Sequence, residues 1–302
     1  MYNKWIKLSY FCAPKHRQFK YSLNLVESND YFFEIKPKDR VGLNVKELVE
    51  YRELFYFFTW RDVKVKYKQT VLGFLWAVIQ PLLLMIIFTF FFGKPMKVPS
   101  DNMEYPVFAF SGLILWTIFS SGITNAGNSM VSNAQIIKKI YFPRLIIPIS
   151  TILASVIDFA ITFGMFLVLI VLFHQPVNLT YAIVFWPMGL LIAVIATFGP
   201  GCWLAALNIK YRDFRYVIPF LVQSLLFLTP VIYPISIVSD SWVKYLMAIN
   251  PMYAAITIFR LPLSQSMPEL LLVTISLLSG LVLFVGGLYY FRRTEMYFAD
   301  LA

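Results

Sequence analysis

The sequence predicts an all-α polytopic membrane protein with six transmembrane helices, an amphipathic helix lying at the interface before them, and both termini in the cytosol. Three observations lead there. Of 302 residues, 59% are hydrophobic and only 14% charged, with a mean hydropathy of +0.68, more apolar than a water-soluble chain of this length needs to be. Six apolar stretches each have roughly the length that crosses ~30 Å of hydrocarbon. Lysine and arginine then fall unevenly between alternate loops: 22 lie on one side, and only Lys94, Lys97, Lys244 and Arg260 on the other. By the positive-inside rule the richer side is cytosolic. The net charge of +10 is therefore an inward-facing property and not the mark of a nucleic-acid binder, for which an aromatic-interleaved basic patch is expected.

Residues 1–43 read as a cytosolic extension. Short alternations at Tyr21, Leu23 and Leu25 and over Tyr31 to Ile35, around the turn-like Ser28-Asn29-Asp30, suggest a small ribbon. The opening MYNKWIKLSYFCAPKHR contains no apolar core of the secretory-signal kind. Residues 44–70 form the interfacial segment. Asn44 followed by Glu47 resembles a capping box, and Val45, Leu48, Val49, Phe55 and Tyr56 share one face of a helical wheel while Lys46, Glu47, Glu50 and Glu53 share the other. Arg61, Lys64, Lys66 and Lys68 close this segment and run without a linker into the first span. They serve either as a positive-inside flank or as a phosphate site, since Arg offers phosphate a bidentate fork and Lys a mobile point charge.

The membrane domain covers residues 71–291, with spans at Val71–Gly93, Pro106–Thr124, Leu145–Phe173, Tyr181–Leu207, Phe214–Pro234 and Leu270–Phe291, and a cytosolic tail at 292–302. The loop 235–269 carries Lys244 and Arg260 against Asp240 and Glu269, and is rich in Trp, Tyr, Met, Ile and Phe. So apolar a loop would not stand free in water. It predicts two short re-entrant helices, Val238 to Ile249 and Met252 to Leu261, packed on protein.

Several chemistries are missing from the sequence. No stretch reads GxxxxGK[ST], so ATP is not expected to bind here by that route. His16 and His174 have no neighbouring ligand set, and no metal, cofactor or catalytic group is expected on this chain. Cys12 and Cys202 fall on unlike sides of the membrane boundary and are not expected to pair. Asp158 is the one acid inside a span, thin support for ion coupling, and is expected to bond a Ser or Thr at a helix interface.

The loop 125–144 is basic and amphipathic, with Ile136, Ile137, Ile140 and Phe142 among Lys138, Lys139 and Arg144. A purely topogenic loop needs charge but not this apolar content. Three segments, YRELFYFFTWRDVKVKYKQTVLGFLWAVIQPLLLMIIFTFFFG (Tyr51 to Gly93), NAQIIKKIYFPR (Asn133 to Arg144) and the ending FRRTEMYFADLA, resemble the membrane subunit of polysaccharide-exporting ABC transporters, the O-antigen, capsule and teichoic-acid exporters. The resemblance runs from about residue 36 to the end.

It implies a bacterial inner-membrane permease that moves a lipid-linked polysaccharide, works with a second copy of itself, and joins two ATPase subunits that bind ATP and Mg. It also implies that the helices before the last span are gate helices. The ATPase-coupling segment would comprise Asn133, Gln135, Ile136, Ile137, Lys138, Lys139, Tyr141, Phe142, Pro143 and Arg144, with a second, shorter contact at Asn208 to Asp213. Arg61, Lys64, Lys66 and Lys68 become candidates for a lipid diphosphate. Phe74, Phe88, Trp116, Phe119, Phe227 and Tyr233 are candidate channel aromatics, against a lipid-facing or core role. An integral-membrane transferase and an ion-coupled lipid flippase are the competing functions; the first calls for clustered acids or histidines at a membrane face, the second for more intramembrane charge than Asp158.

Overall fold

Eleven α-helices follow one another among the residues described by the computed structural model, which are 45–68, 73–93, 100–140, 142–264, 267–295 and Phe298. The expected ribbon and the Asn44 cap lie outside them. Helix α1 (Val45–Glu50) breaks at Tyr51 and α2 (Arg52–Lys68) carries the basic run to its end. The expected apolar face differs from the one the fold uses. Phe58 is the residue of α2 that is buried, whereas Val49 and Tyr56 are exposed.

Long apolar helices follow: α3 (Leu75–Phe88) with a π-turn at Thr89–Gly93, α4 (Tyr105–Ser132), α6 (Ile146–Leu172) after the short α5 (Ala134–Lys139), and α7 (Leu179–Lys210). Then come α8 (Phe214–Leu228), α9 (Ser241–Ala248), α10 (Met252–Ser264) and α11 (Leu270–Glu295). Five helical stretches are long and apolar enough to cross a membrane, and the pair α9–α10, bent by 96° at its break, makes up to six if taken as one span. Helix α4 runs eight residues beyond its expected end at Thr124. Asn125, Asn128, Ser129 and Ser132 lower the hydropathy of this last stretch without ending the helix.

Expected as the fifth span, α8 is only 15 residues long, about 22 Å at 1.5 Å per residue. An irregular segment, 229–234, follows it. Its Ile232 carbonyl accepts a 2.9 Å hydrogen bond from the Tyr105 hydroxyl at the start of α4. Non-helical backbone in an apolar surround needs its carbonyls satisfied, and Arg260 of α10 does this. Its guanidinium donates to the Pro230 and Val231 carbonyls at 3.0 and 2.6 Å, to the Phe108 carbonyl at 3.0 Å and to Ser111 Oγ at 3.0 Å. It also stacks 3.7 Å from the Phe108 ring centroid. Counted in the sequence as an outer-loop cation within the segment Met252 to Leu261, Arg260 is buried at 7% exposure.

Helices α9 and α10 form a bent pair, 96° at the break, packed against α7 and α11. Lys244 pairs with Glu269 at 3.5 Å, and the Asn178 amide before α7 donates to the Pro262 carbonyl at 3.0 Å. At the break Asn250 donates to Thr229 Oγ1 at 2.6 Å, and Pro251 faces Gly280, ten residues into α11. Helices α7 and α11 cross at Gly199 and Gly287, so closely that a Cβ on Gly287 would strike the Gly199 backbone and one on Gly199 the backbone of Leu283 and Phe284. Small residues at such crossings let membrane helices gain van der Waals contact.

Candidate functional site

At the end opposite the Lys244–Glu269 pair, α2, the α4–α5–α6 connection and the ends of α7 and α11 converge on one apolar cluster: Phe58, Ile137, Phe142, Ile146, Ile209 and Phe291. Phe58 lies 5.7 Å from the Phe142 ring. This knot holds α5 against α2 and orients it. Ile137 is 5% exposed and points inward, whereas Ile140 is 61% exposed and Lys138 and Lys139 stand outside with it. Of the expected coupling residues, Gln135, Lys138 and Lys139 are thus on the surface beside Ile140 and Ile136 is half-buried, while Ile137, Phe142, Asn133 and Pro143 are buried. Tyr141 lies outside the described residues. Arg144 is turned inward: its amide donates to Glu295 Oε1 at 3.1 Å and its guanidinium to the Glu295 carbonyl. Arg292 completes that node at 2.7 Å from Glu295 Oε2. Asn208, expected at a partner contact, is buried and donates to the Gly127 carbonyl at 2.8 Å and to Asn128 Oδ1 at 3.0 Å; Arg212 and Asp213 are exposed beyond it.

Beside this knot opens a cleft of about 710 Å³. Helix α2 supplies Arg61, Asp62 and Lys66. The end of α4 supplies Asn125, Asn128, Ser129 and Ser132, followed by Asn133 and Gln135. Helix α6 supplies Thr151, Ser155 and Asp158, one face at i, i+4 and i+7. Both cations that reach the cleft are matched by acids. Arg61 pairs with Asp62 at 2.8 Å and lies 4.7 Å from the Phe58 ring centroid. Lys66 and the Tyr67 hydroxyl both bond Asp158.

The expectation that Asp158 bonds a Ser or Thr is therefore corrected. Thr162 Oγ1 reaches its backbone carbonyl at 3.2 Å, but the carboxylate is taken by α2. A carboxylate buried in α6 costs several kcal/mol unless paired, and the pairing tacks the interfacial helix to the bundle. Burial first, then the hydrogen bond and charge of Asp158, hold the Tyr67 phenol above its ordinary pKa.

The four cations of α2 do not form one cluster. Lys64 and Lys68 are exposed, one turn apart, and have no acid partner among the described residues. The candidate aromatics separate likewise. Trp116 and Phe119 pack in the core at 6% and 2% exposure with rings 5.2 Å apart, which removes them from any channel wall in this chain. Phe74 and Phe227 are exposed. Phe88 and Tyr233 are partly buried against the core, with the Tyr233 hydroxyl donating to the Phe227 carbonyl at 2.7 Å. Sequence reasoning missed Asp62, the amides of α4 and Arg260; the helical spacing of Asn125, Asn128 and Ser132 was the signal for the second of these.

Residues 53–263 match the family model described as ABC-2 type transporter. The chain is 30% identical over 251 residues to an O-antigen export system permease protein RfbA of Klebsiella pneumoniae, covering 82% of this chain and 95% of that protein. It is 30% identical over 243 residues to the RfbA protein of Myxococcus xanthus, covering 78% and 92%. It is 23% identical over 247 residues to the polysialic acid transport protein KpsM of Escherichia coli, covering 78% and 91%. A family match across more than two thirds of the chain, on a fold of long apolar helices, makes this chain a member of the ABC-2 type transporter family.

Proposed function

We propose that the chain is the permease subunit of an ATP-driven exporter that carries a lipid-linked, O-antigen-like polysaccharide across the bacterial inner membrane, acting as a homodimer joined to two ATPase subunits. Family membership carries this reading, together with relatives named for O-antigen export and polysialic acid transport. With no phosphate loop in its sequence, the chain leaves ATP and Mg to the partner ATPase. The partner's contact is α5, whose inner residue Ile137 is clamped by Phe58 and Phe142 while Gln135, Lys138, Lys139 and Ile140 face outward. A push on that surface reaches α2 and the cleft through the same apolar knot.

Lys64 and Lys68 are the cations left to meet a diphosphate headgroup, because Arg61 and Lys66 are held by Asp62 and Asp158. An ion-coupled flippase is disfavoured for the related reason that the intramembrane acid Asp158 is already occupied. Deleting the gene in its host tests the proposal. Surface polysaccharide is expected to vanish while lipid-linked glycan accumulates on the cytosolic face, both restored by the wild-type gene. Undiminished surface polysaccharide in the deletion strain would refute it.

A further inference from the structure

Helix α4 is the most enclosed of the five helices long enough to cross a membrane, and what it leaves open is chemically uniform. Between Val107 and Ser132 eight residues are not buried: Thr117, Ser120, Ser121, Thr124, Asn125, Asn128, Val131 and Ser132. Seven of the eight carry a hydroxyl or an amide. At 100° per residue they fall on a single face about 140° wide, and the stripe is about 22 Å long. A helix that opened toward lipid would show apolar side chains there, as α7 does with Ile183, Val184 and Leu191.

Several of these groups satisfy their donors on their own helix, such as Thr117 on the Leu113 carbonyl at 2.8 Å and Asn128 on the Thr124 carbonyl at 2.9 Å. Thr117 Oγ1 keeps its acceptor lone pairs open among the described residues, whereas Asn128 Oδ1 already accepts from Asn208 at 3.0 Å. Asn125 is exposed with no side-chain partner among the described residues, a costly state in hydrocarbon.

The stripe runs into the cleft, where the amides of α4 face Thr151 and Ser155 of α6. The cleft is electrically balanced, Arg61 and Lys66 against Asp62 and Asp158, and Asp62 Oδ2 lies buried there without a hydrogen-bond donor among the described residues. A diphosphate site would show surplus cations. This wall offers uncharged donors and acceptors at close spacing, which is the chemistry that meets sugar hydroxyls.

We propose that the open face of α4 from Thr117 to Ser132, continued by the cleft at its end, is the surface along which the glycan chain passes, contacting hydroxyls by weak and replaceable hydrogen bonds. This rests on the export function proposed above and adds to it the wall that the sugar touches. Many weak polar contacts without aromatic stacking suit a moving chain, since no single sugar is held tightly.

The test places a photoreactive benzophenone amino acid in turn at Thr117, at Asn125 and, as a lipid-facing control, at Ile183, in cells that make the polysaccharide and with the partner ATPase present. After irradiation the permease adducts are probed with a periodate-based carbohydrate stain and for acyl chains. Carbohydrate-bearing adducts from positions 117 and 125 with only lipid from 183 are expected. Asn125→Leu should lower export about fivefold, the loss of one hydrogen-bonding group, and Asn125→Gln should restore most of it. If cells export normally yet positions 117 and 125 yield lipid, or a second copy of the chain, and no carbohydrate, the α4 wall is overturned while the export function stands. If no polysaccharide reaches the surface through the wild-type chain, the export function itself fails and the wall falls with it.

Discussion

Ile137 and Ile140 sit three residues apart and have opposite fates. Ile137 is sealed between α5 and α2, so Ile137→Ala should cost about 2–5 kcal/mol of stability as a cavity substitution, read as a lowered Tm in detergent with the ATPase still bound by whatever folds. Ile140→Asp should leave the Tm unchanged and reduce co-purification of the ATPase at least tenfold, since exposed apolar anchors at the centre of an interface dominate affinity. Arg260 belongs to the same scale. Arg260→Leu would strand the carbonyls of Pro230 and Val231 in a dry region at about 1–3 kcal/mol each, and thermal unfolding should register the loss. Tyr67 gives a pH expectation of opposite kind. Because its folded pKa is raised, its contribution is fully present below the ordinary tyrosine value of about 10 and is lost only as pH rises through the folded value. Attachment of α2 through this contact should therefore stay constant between about pH 6 and 9, as followed by proteolysis of α2. The contacts of Arg260 could not be read from sequence, where it counts only as an outer-loop cation. They depend on α8 ending early at Leu228, a tertiary fact that the apolar run Phe214–Pro234 conceals.

At the scale of elements, the glycine crossing of α7 and α11 and the α9–α10 pair make separate demands. Gly199→Val or Gly287→Val would force the two helices apart, because the atoms met by the added side chain are backbone and not a movable side chain; loss of folded protein in a detergent-stability assay is expected for either. For the α9–α10 pair, single cysteines at Asp240 and Met267 should react with an impermeant thiol reagent. Cysteines at Ala248 and Met252 should not, being fully buried at the break. The turn Asn250–Pro251 looks in the sequence like an outward loop, but it faces Gly280 in the bundle and should be protected as well. That this loop packs on the bundle was legible, since an apolar loop punctuated by Pro251 has few other places to go. Its depth was not, because that is set by Asn250 meeting Thr229 and Ser276 accepting from the Ala254 amide. Helix α4 was underestimated for a related reason: amides that line a polar cleft score as loop residues in any hydropathy count, although the helix carries on beneath them.

For the whole molecule, the uneven charge of the sequence makes a statement about topology. The end holding Phe58, Ile137 and Phe291 also holds the basic run of α2 and Arg292, and should face the cytosol. A phosphatase fused after residue 302 should be inactive, while one inserted near Lys244 should be active. Composition and charge were enough to read the class of fold, because a bilayer restricts spanning backbone to satisfied helices. The cleft was not, since it joins three segments far apart in the chain through the Lys66–Asp158 pair. The central claim is that transport through this chain is driven by ATP hydrolysed on a partner. It is tested most directly in proteoliposomes holding the permease, its ATPase and a lipid-linked glycan, by following the glycan's passage into a compartment guarded by an impermeant glycosidase. Passage is expected to need ATP, Mg and both proteins together. Passage without the ATPase, or driven by a proton gradient alone, would contradict that claim.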